Sequence, residues 1–460
     1  MTDEVETPTG TPEHFSRLHP LTPLLKGWGY LVAAIAFAAQ DSVRAGEFSY
    51  GLLIAAGVAV IGGLAATVSW WFTRYGFDGD ALRIDSGILN RTTRRVKMDR
   101  LQSVDIDRPL AARLFGLSQL KMEVAGGSDS DATLAYLPMN DAAALRAELL
   151  ARAAGLDAET PEAPERPVYK VVLRDLVWST ILSGTFVIGV LVVIGLGVAF
   201  IVAPSPAEVA GVVLSTMVPG LIAIGAALWN QLGRNFDFTL AESPDGYRIR
   251  KGLLDTRAQT VPPGRVQGVA LVQPLLWRLR GWVKLDVDVA GYAGAGADEQ
   301  QRASTLLPVA TYDEALSVMT YVLRGADMQS VPLHAAPRSA RWLRPITAPR
   351  LAYGADERIA VSREGRLVRR LYVVPHARNQ SVRLTQGPLQ RRLDLATVHI
   401  DTTPGPVDAR FTHRAAKEAR RILDEQVARA SHARAVDQPE QWMTRAEGPP
   451  ETAARSDEET

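Results

Sequence analysis

Four runs of apolar residues constrain this chain more than any other feature. Two come early, Gly27 to Gln40 and Tyr50 to Phe72; two follow, from about Leu176 to Ala203 and from Val209 to Trp229. A helix needs roughly 20 apolar residues to cross about 30 Å of hydrocarbon, and three of the four runs approach or exceed that. Asp41 and Arg44 cut the first run short, so it also suits a re-entrant or signal-type segment. A cleaved signal peptide is rejected, because a long acidic stretch, Met1 to Pro20, precedes the run and no A-x-A site is evident. Reading all four as core helices of a soluble protein would require two apolar hairpins to be buried by other means. The sequence therefore reads as a multi-pass membrane protein of mixed α+β class.

Each pair of runs has a short connection, Asp41 to Ser49 and Pro204 to Glu208, poor in Lys and Arg. The outer flanks carry Arg17, Lys26, Arg74, Lys170, Arg174 and Arg234. Basic residues stay on the cytoplasmic side, so both termini and every large soluble segment are expected in the cytoplasm, under the plasma membrane. Trp28, Trp70, Trp71, Trp178 and Trp229 stand at or near the ends of the runs, where amphipathic rings anchor at the interface. No Asp, Glu, Lys or Arg lies inside the three long spans, which argues against an ion path or a charged-substrate transporter. A transporter or permease-associated component is kept as the alternative.

Composition narrows the chemistry. Lys and Arg (51) nearly balance Asp and Glu (50), so no charge argument points to nucleic acid. The chain has no cysteine, which excludes disulfides, thiolate catalysis and cysteine-held metals. Seven histidines form no His-x-x-x-His pair, and no nucleophile elbow, Walker motif or zincin signature occurs. No enzyme activity, metal or cofactor is expected.

Between and after the apolar runs, one pattern appears three times. Arg100-Leu101-Gln102-Ser103-Val104 is followed far along by Arg265-Val266-Gln267-Gly268-Val269 and by Arg378-Asn379-Gln380-Ser381-Val382. Pro109-Leu110 and Arg113-Leu114 correspond to Pro274-Leu275 and Arg278-Leu279, with Arg391 in the third copy. Leu120, Met122 and Val124 alternate with polar residues, as do Val283, Leu285, Val287 and Val289, and Ala396, Val398, Ile400 and Thr402. That period marks strands with one buried face. Each copy then enters a helix: from near Asn140, from a Thr311 to Glu314 capping box, and over roughly Thr412 to Ala430. Five to seven short strands closed by one C-terminal helix fit a small barrel or sandwich.

With two membrane hairpins each followed by such a unit, the chain resembles the YdbT-like bacterial membrane proteins. Their repeated unit is the short bacterial pleckstrin-homology-like (PH-like) domain. The resemblance implies a non-enzymatic scaffold presenting PH-like domains, with a second small PH-like membrane protein or a further copy of itself as partner. It also implies, more weakly, a setting in envelope stress or antimicrobial resistance. The third copy departs from the pattern: no hairpin precedes it, its Pro388-Leu389 pair comes one residue late, and Asp394 replaces Gly116 and Gly281. The expected segments are a disordered tail at 1–17, a hairpin at 18–73, a PH-like domain at 74–155 and a linker at 156–170. A second hairpin at 171–231, a domain at 232–325, a loosely packed linker at 326–350, a domain at 351–431 and a tail at 432–460 follow.

Candidate binding residues are the recurrent Arg100, Gln102, Arg265, Gln267, Arg378 and Gln380, and the basic segment Arg91, Arg94, Arg95 and Lys97. A guanidinium suits a lipid phosphate or a partner carboxylate; equally, Arg and Gln at a strand entrance bond the neighbouring backbone in any fold of this kind. Basic residues beside a membrane exit are drawn to anionic lipid, while the same segment also suits a solvated turn. Asp105, Asp107, Asp286 and Asp288 are read as the solvated face of a half-buried sheet.

Overall fold

The computed structural model describes residues 15–25, 49–79, 81–87, 91–124, 132–153, 165–202, 206–243, 246–261, 263–290 and 304–436. The chain divides into two compact units, Met1–Glu162 with Leu254–Ala258, and Ala163–Leu253 with Gln259–Thr460.

In the first unit β1 (Ser16–Arg17) precedes helix α1 (Ser49–Trp71), which leads into β2 (Arg74–Asp78), β3 (Ala81–Ser86) and β4 (Thr92–Lys97). These strands form one antiparallel sheet in chain order, with Arg17 opposite Arg74. A one-turn 3-10 helix, Met98–Arg100, opens a second half: β5 (Leu101–Arg108), short helix α2 (Leu110–Leu114), β6 (Leu117–Val124), β7 (Ala132–Pro138) and α3 (Met139–Ala153). Leu120 and Met122 are wholly buried, as their alternation requires.

The second unit repeats the plan. It runs through β8 (Arg166–Lys170), α4 (Leu173–Ile181), α5 (Gly184–Val202), α6 (Pro206–Asn235), β9 (Thr239–Ser243), β10 (Gly246–Lys251) and β11 (Thr256–Val261). After the 3-10 turn Pro263–Arg265 come β12 (Val266–Gln273), β13 (Trp282–Val289), β14 (Thr305–Thr311) and α7 (Tyr312–Val322). The capping box is formed: Thr311 Oγ1 accepts from Glu314 N–H at 3.4 Å, and Glu314 Oε2 from Thr311 N–H at 2.8 Å. The third copy follows with β15 (His334–Ala335), β16 (Ala352–Ala355), β17 (Ile359–Glu364), β18 (Arg369–Pro375), the turn His376–Arg378, β19 (Ser381–Thr385), α8 (Pro388–Arg392), β20 (Leu395–Asp401), β21 (Ala409–Ala415) and α9 (Ala416–Val436).

Fine detail repeats along with the order. The register slips at Ser118/Leu120, at Val283/Leu285 and at Ala396/Val398, the same bulge in each copy. The turn before this strand needs a left-handed residue: Gly116 and Gly281 stand at φ 70° and 67°, and Asp394 holds the same conformation at φ 51°. Aspartate is among the few residues that tolerate this region, so the third copy keeps the turn without its glycine.

The expected barrel does not close. In the first two copies the first strand of the second half pairs instead with a strand of the next copy: β12 with β18, and β5 with Thr256–Ala258 of β11. This pairing also overturns the reading of the aspartates as a solvated face. Asp105 is 1% exposed and takes Arg257 Nη2 at 2.9 Å, with Asp107 Oδ1 3.5 Å from Arg257 Nε. Asp288, 2% exposed, accepts from Val407 N–H at 3.1 Å and Thr402 Oγ1 at 3.2 Å. Asp105 and Asp107 thus hold Arg257 of the next repeat, and Asp288 holds the loop at Thr402 and Val407 of the third copy.

Two further expectations change. The third apolar run is two helices: α4 buries Leu176, Ser179 and Thr180 in the domain core, and the chain breaks at Leu182–Ser183 before α5. Among the described residues α5 is the one helix long and apolar enough to cross a membrane. The first run, Gly27 to Gln40, lies outside the described residues. The 326–350 segment, expected to be a loose tether, is packed, with Met328, Val331, Ala340 and Ala348 all buried. Its alternation of small apolar and arginine residues gives it an inward side. Ser16 and Arg17 are in β1, the remaining described part of the expected N-terminal tail is residue 15, and α9 continues to Val436.

Candidate functional site

The recurrent arginine has one structural place. Arg100, Arg265 and Arg378 each end the 3-10 turn that joins the two half-sheets of a copy. In the second copy Arg265 Nη2 donates to the Ala290 carbonyl, while Ala290 N–H returns a bond to Arg265 O at 2.9 Å. Gln267 is buried and donates to Arg265 O at 3.3 Å. Here the pair ties the turn to the end of the neighbouring strand. Arg100 is exposed, and the Gln102 side chain is outside the described atoms. Gln380 is exposed, its N–H donating to Asp401 O at 2.9 Å.

Arg378 is half-buried and lines a cavity of about 740 Å³ with Arg324, Arg358, Arg429 and Glu357. The cavity lies within the second unit, where the end of α7, the start of β17 and the last turns of α9 meet. Beneath the same turn His376 is 1% exposed, and burial pushes its imidazole below the ordinary value.

Arg91, Arg94, Arg95 and Lys97 are all exposed, on β4 and the residue before it. Val96 is the buried residue of the strand, so Arg95 and Lys97 point to the opposite face, together with Arg83 and Arg74 across the sheet. Asp78 and Asp85 partly neutralise that face: Arg95 Nη2 is 3.2 Å from Asp78, and Arg83 Nε 3.0 Å from Asp85. Burial pushes Asp85 up, but bonds from Thr93 and Arg83 outweigh it and hold the carboxyl below its usual range. Of the recurrent arginines, Arg100 follows β4 directly in the first unit, and Arg265 and Arg378 belong to the second unit.

The sequence reading did not find what the three copies share most closely. Each has an insertion between its first two strands, and the chain leaves and returns at one point. In the first copy Trp70 Nε1 donates to Leu18 O at 2.9 Å, and Arg17 stacks on Trp71 at 5.0 Å. In the second, Val171 N–H donates to Phe238 O at 3.0 Å and Lys170 pairs with Asp237 at 3.0 Å. In the third, Ala336 N–H donates to Leu351 O at 2.9 Å. The first insertion carries α1 and the second carries α4 to α6; the third is Pro337–Arg350.

Each insertion rests on the short helix of its own second half, which in the second copy is the 3-10 helix Leu276–Arg280. Leu21 and Leu25 pack on Ala111 and Ala112 of α2, and Trp277 Nε1 donates to Ser179 O at 2.9 Å. Leucines of these short helices stay exposed, Leu114 at 76% and Leu279 at 79%. The repeated Pro-Leu pairs were the available signal, but a sequence repeat does not say which side of a leucine is covered.

A family model described as the bacterial PH domain matches residues 30–153, 185–326 and 305–430, together well over half of the 460 residues. The UPF0699 transmembrane protein YdbT of Bacillus subtilis (strain 168) is 23% identical over 286 residues, which is 55% of this chain. The chain spans 57% of that relative's length. No solved structure matches.

Proposed function

We propose, given that this chain belongs to the bacterial PH domain family, that it is a non-enzymatic membrane scaffold holding three PH-like domains at the cytoplasmic face. The single observation that carries this reading is the closed base of each insertion: Trp70 on Leu18 in one copy, Val171 on Phe238 in another. A chain that returns to its point of departure crosses a bilayer an even number of times. Two transmembrane hairpins, with every domain on one side, satisfy that constraint and agree with the basic flanks. The named relative is itself a transmembrane protein, which supports the same reading. Helix α5 carries no charged residue, so the transporter alternative gains nothing from it.

The scaffold's partners are membrane lipid and a second PH-like membrane protein or a further copy of the chain. The basic face of β4 is suited to anionic headgroups, each cation contributing about 1 kcal/mol near such a surface. A physiological setting in envelope stress or antimicrobial resistance rests on family resemblance alone. The test is detergent-free extraction of the tagged chain with its surrounding lipid, followed by mass spectrometry. A stoichiometric membrane partner that survives washing is expected; recovery with bulk lipid alone would overturn the stable-complex reading.

A further inference from the structure

We propose that the third copy, which has no membrane hairpin, seats on the bilayer surface through the segment that replaces one. This rests on the reading of the other two insertions as membrane segments. Pro337–Arg350 begins and ends where they do, the Ala336–Leu351 bond standing at the position of the Val171–Phe238 bond. It rests on the same support as well: Ala340, Ala348 and Leu343 pack against Leu393 and Leu395, beside α8.

What the segment turns outward is unlike an ordinary soluble surface. Trp342 is 83% exposed and Ile346 61%, and Leu389 of α8 is 65% exposed. Around them Arg338, Arg341, Arg344 and Arg350 are exposed, with Arg391 and Arg392 on α8, and no carboxylate occurs between Pro337 and Leu351. A tryptophan and branched aliphatics among arginines is the composition of an element lying in a membrane interface. The rings reach the acyl boundary while the guanidiniums meet headgroup phosphates, so the surface chosen is an anionic bilayer. Position decides against an acidic protein as occupant: the equivalent points of the other two copies run directly into apolar helices. The Trp342 and Ile346 surface is therefore level with the membrane whenever the three copies meet it alike.

The chain contains no cysteine, so one can be placed at will. Three single-cysteine forms of the full chain, Ile346→Cys, Ile194→Cys in α5 and Glu357→Cys at the far end of β16, carry an environment-sensitive fluorophore in reconstituted vesicles. The vesicles contain phosphatidylcholine with or without phosphatidylglycerol. In the anionic vesicles the probe at 346 is expected to be quenched by lipid-borne nitroxide and shielded several-fold from aqueous iodide relative to 357. The double change Arg341→Gln, Arg344→Gln returns it toward water while leaving the probe at 194 lipid-quenched. If 346 is as open to iodide as 357 while 194 is lipid-quenched, the seating is wrong and the membrane hairpin stands. Should 194 also face water, the hairpin reading falls and takes this inference with it. Shielding of 346 from iodide without quenching by the lipid-borne nitroxide indicates a protein contact, which overturns the proposal.

Discussion

Asp288 concentrates the cost and the use of a buried charge in one side chain. Burial pushes its carboxyl from 3.8 up to about 7, against the bonds from Val407 and Thr402 that favour the charged form; neighbouring Asp286 raises it further. Asp286 is itself paired with Lys284 at 2.9 Å. The loop that meets Asp288 comes so close that a Cβ on Gly405 would fall on the carboxylate, which is why that position has no side chain. Because the folded state binds the proton more tightly than the unfolded chain, this group's contribution is complete below 3.8 and is lost as pH rises through about 7. Thermal unfolding of the full chain is therefore expected to show the second unit weakening between pH 5 and pH 8. The slope approaches about 1.4 kcal/mol per pH unit where the two states differ by a whole proton. Asp288→Asn should flatten that slope; an unchanged slope would show that Asp288 is not its source.

At the scale of elements, the second insertion shows how a helix can belong to two environments in turn. Helix α4 adds Leu176 to the core of its domain, and α5 begins after a two-residue break, with its side chains turned outward. Helix α6 then returns alongside α5 at a close contact: a Cβ on Gly189 would lie 2.6 Å from Ile224 Cδ1. In lipid there is no hydrophobic drive to pair two apolar helices, so small residues that let them approach are what hold them together. Gly189→Leu is expected to lower the thermal stability of the lipid-reconstituted protein by about 1–3 kcal/mol, the usual range for overpacking. Gly195→Leu, on the same helix with nothing within 4 Å, should be tolerated. Equal losses from both would mean that the α5–α6 contact does not hold the pair.

Within the second unit, the second and third copies are joined through the β12–β18 strand pair. Buried second-half strands such as β5 and β12 contrast with β19, whose Ser381, Arg383 and Thr385 are exposed and which pairs with β20 alone among the described strands. Charge blunts that edge, Arg383 being held by Asp401 at 2.8 Å, and the first copy's β4 edge is basic. Polar and charged edge strands resist further pairing. Topology gives the matching prediction. A cysteine at residue 204, between α5 and α6, should react with a membrane-impermeant thiol reagent in intact cells. One at Glu357 should react only after permeabilisation. The reverse pattern would place the domains outside and overturn the proposed orientation.

Local chemistry is what the sequence by itself determined: the apolar runs, the three Arg-x-Gln copies, the alternating strands and the Thr311–Glu314 cap are all set by residues near one another. Period and capping need no knowledge of distant chain, so they were legible, and so was the family. Several features depended on partners far away in sequence and were not. Whether Asp105 faces water is decided by Arg257, more than a hundred residues on, and whether a barrel closes is decided by β18 arriving at β12. The closed bases of the insertions, and the packed foot under Trp342, are likewise meetings of segments that only the folded chain brings together. A pattern reports which face of an element is apolar; what covers that face is a property of the tertiary structure, because burial is a relation between segments and not a property of either.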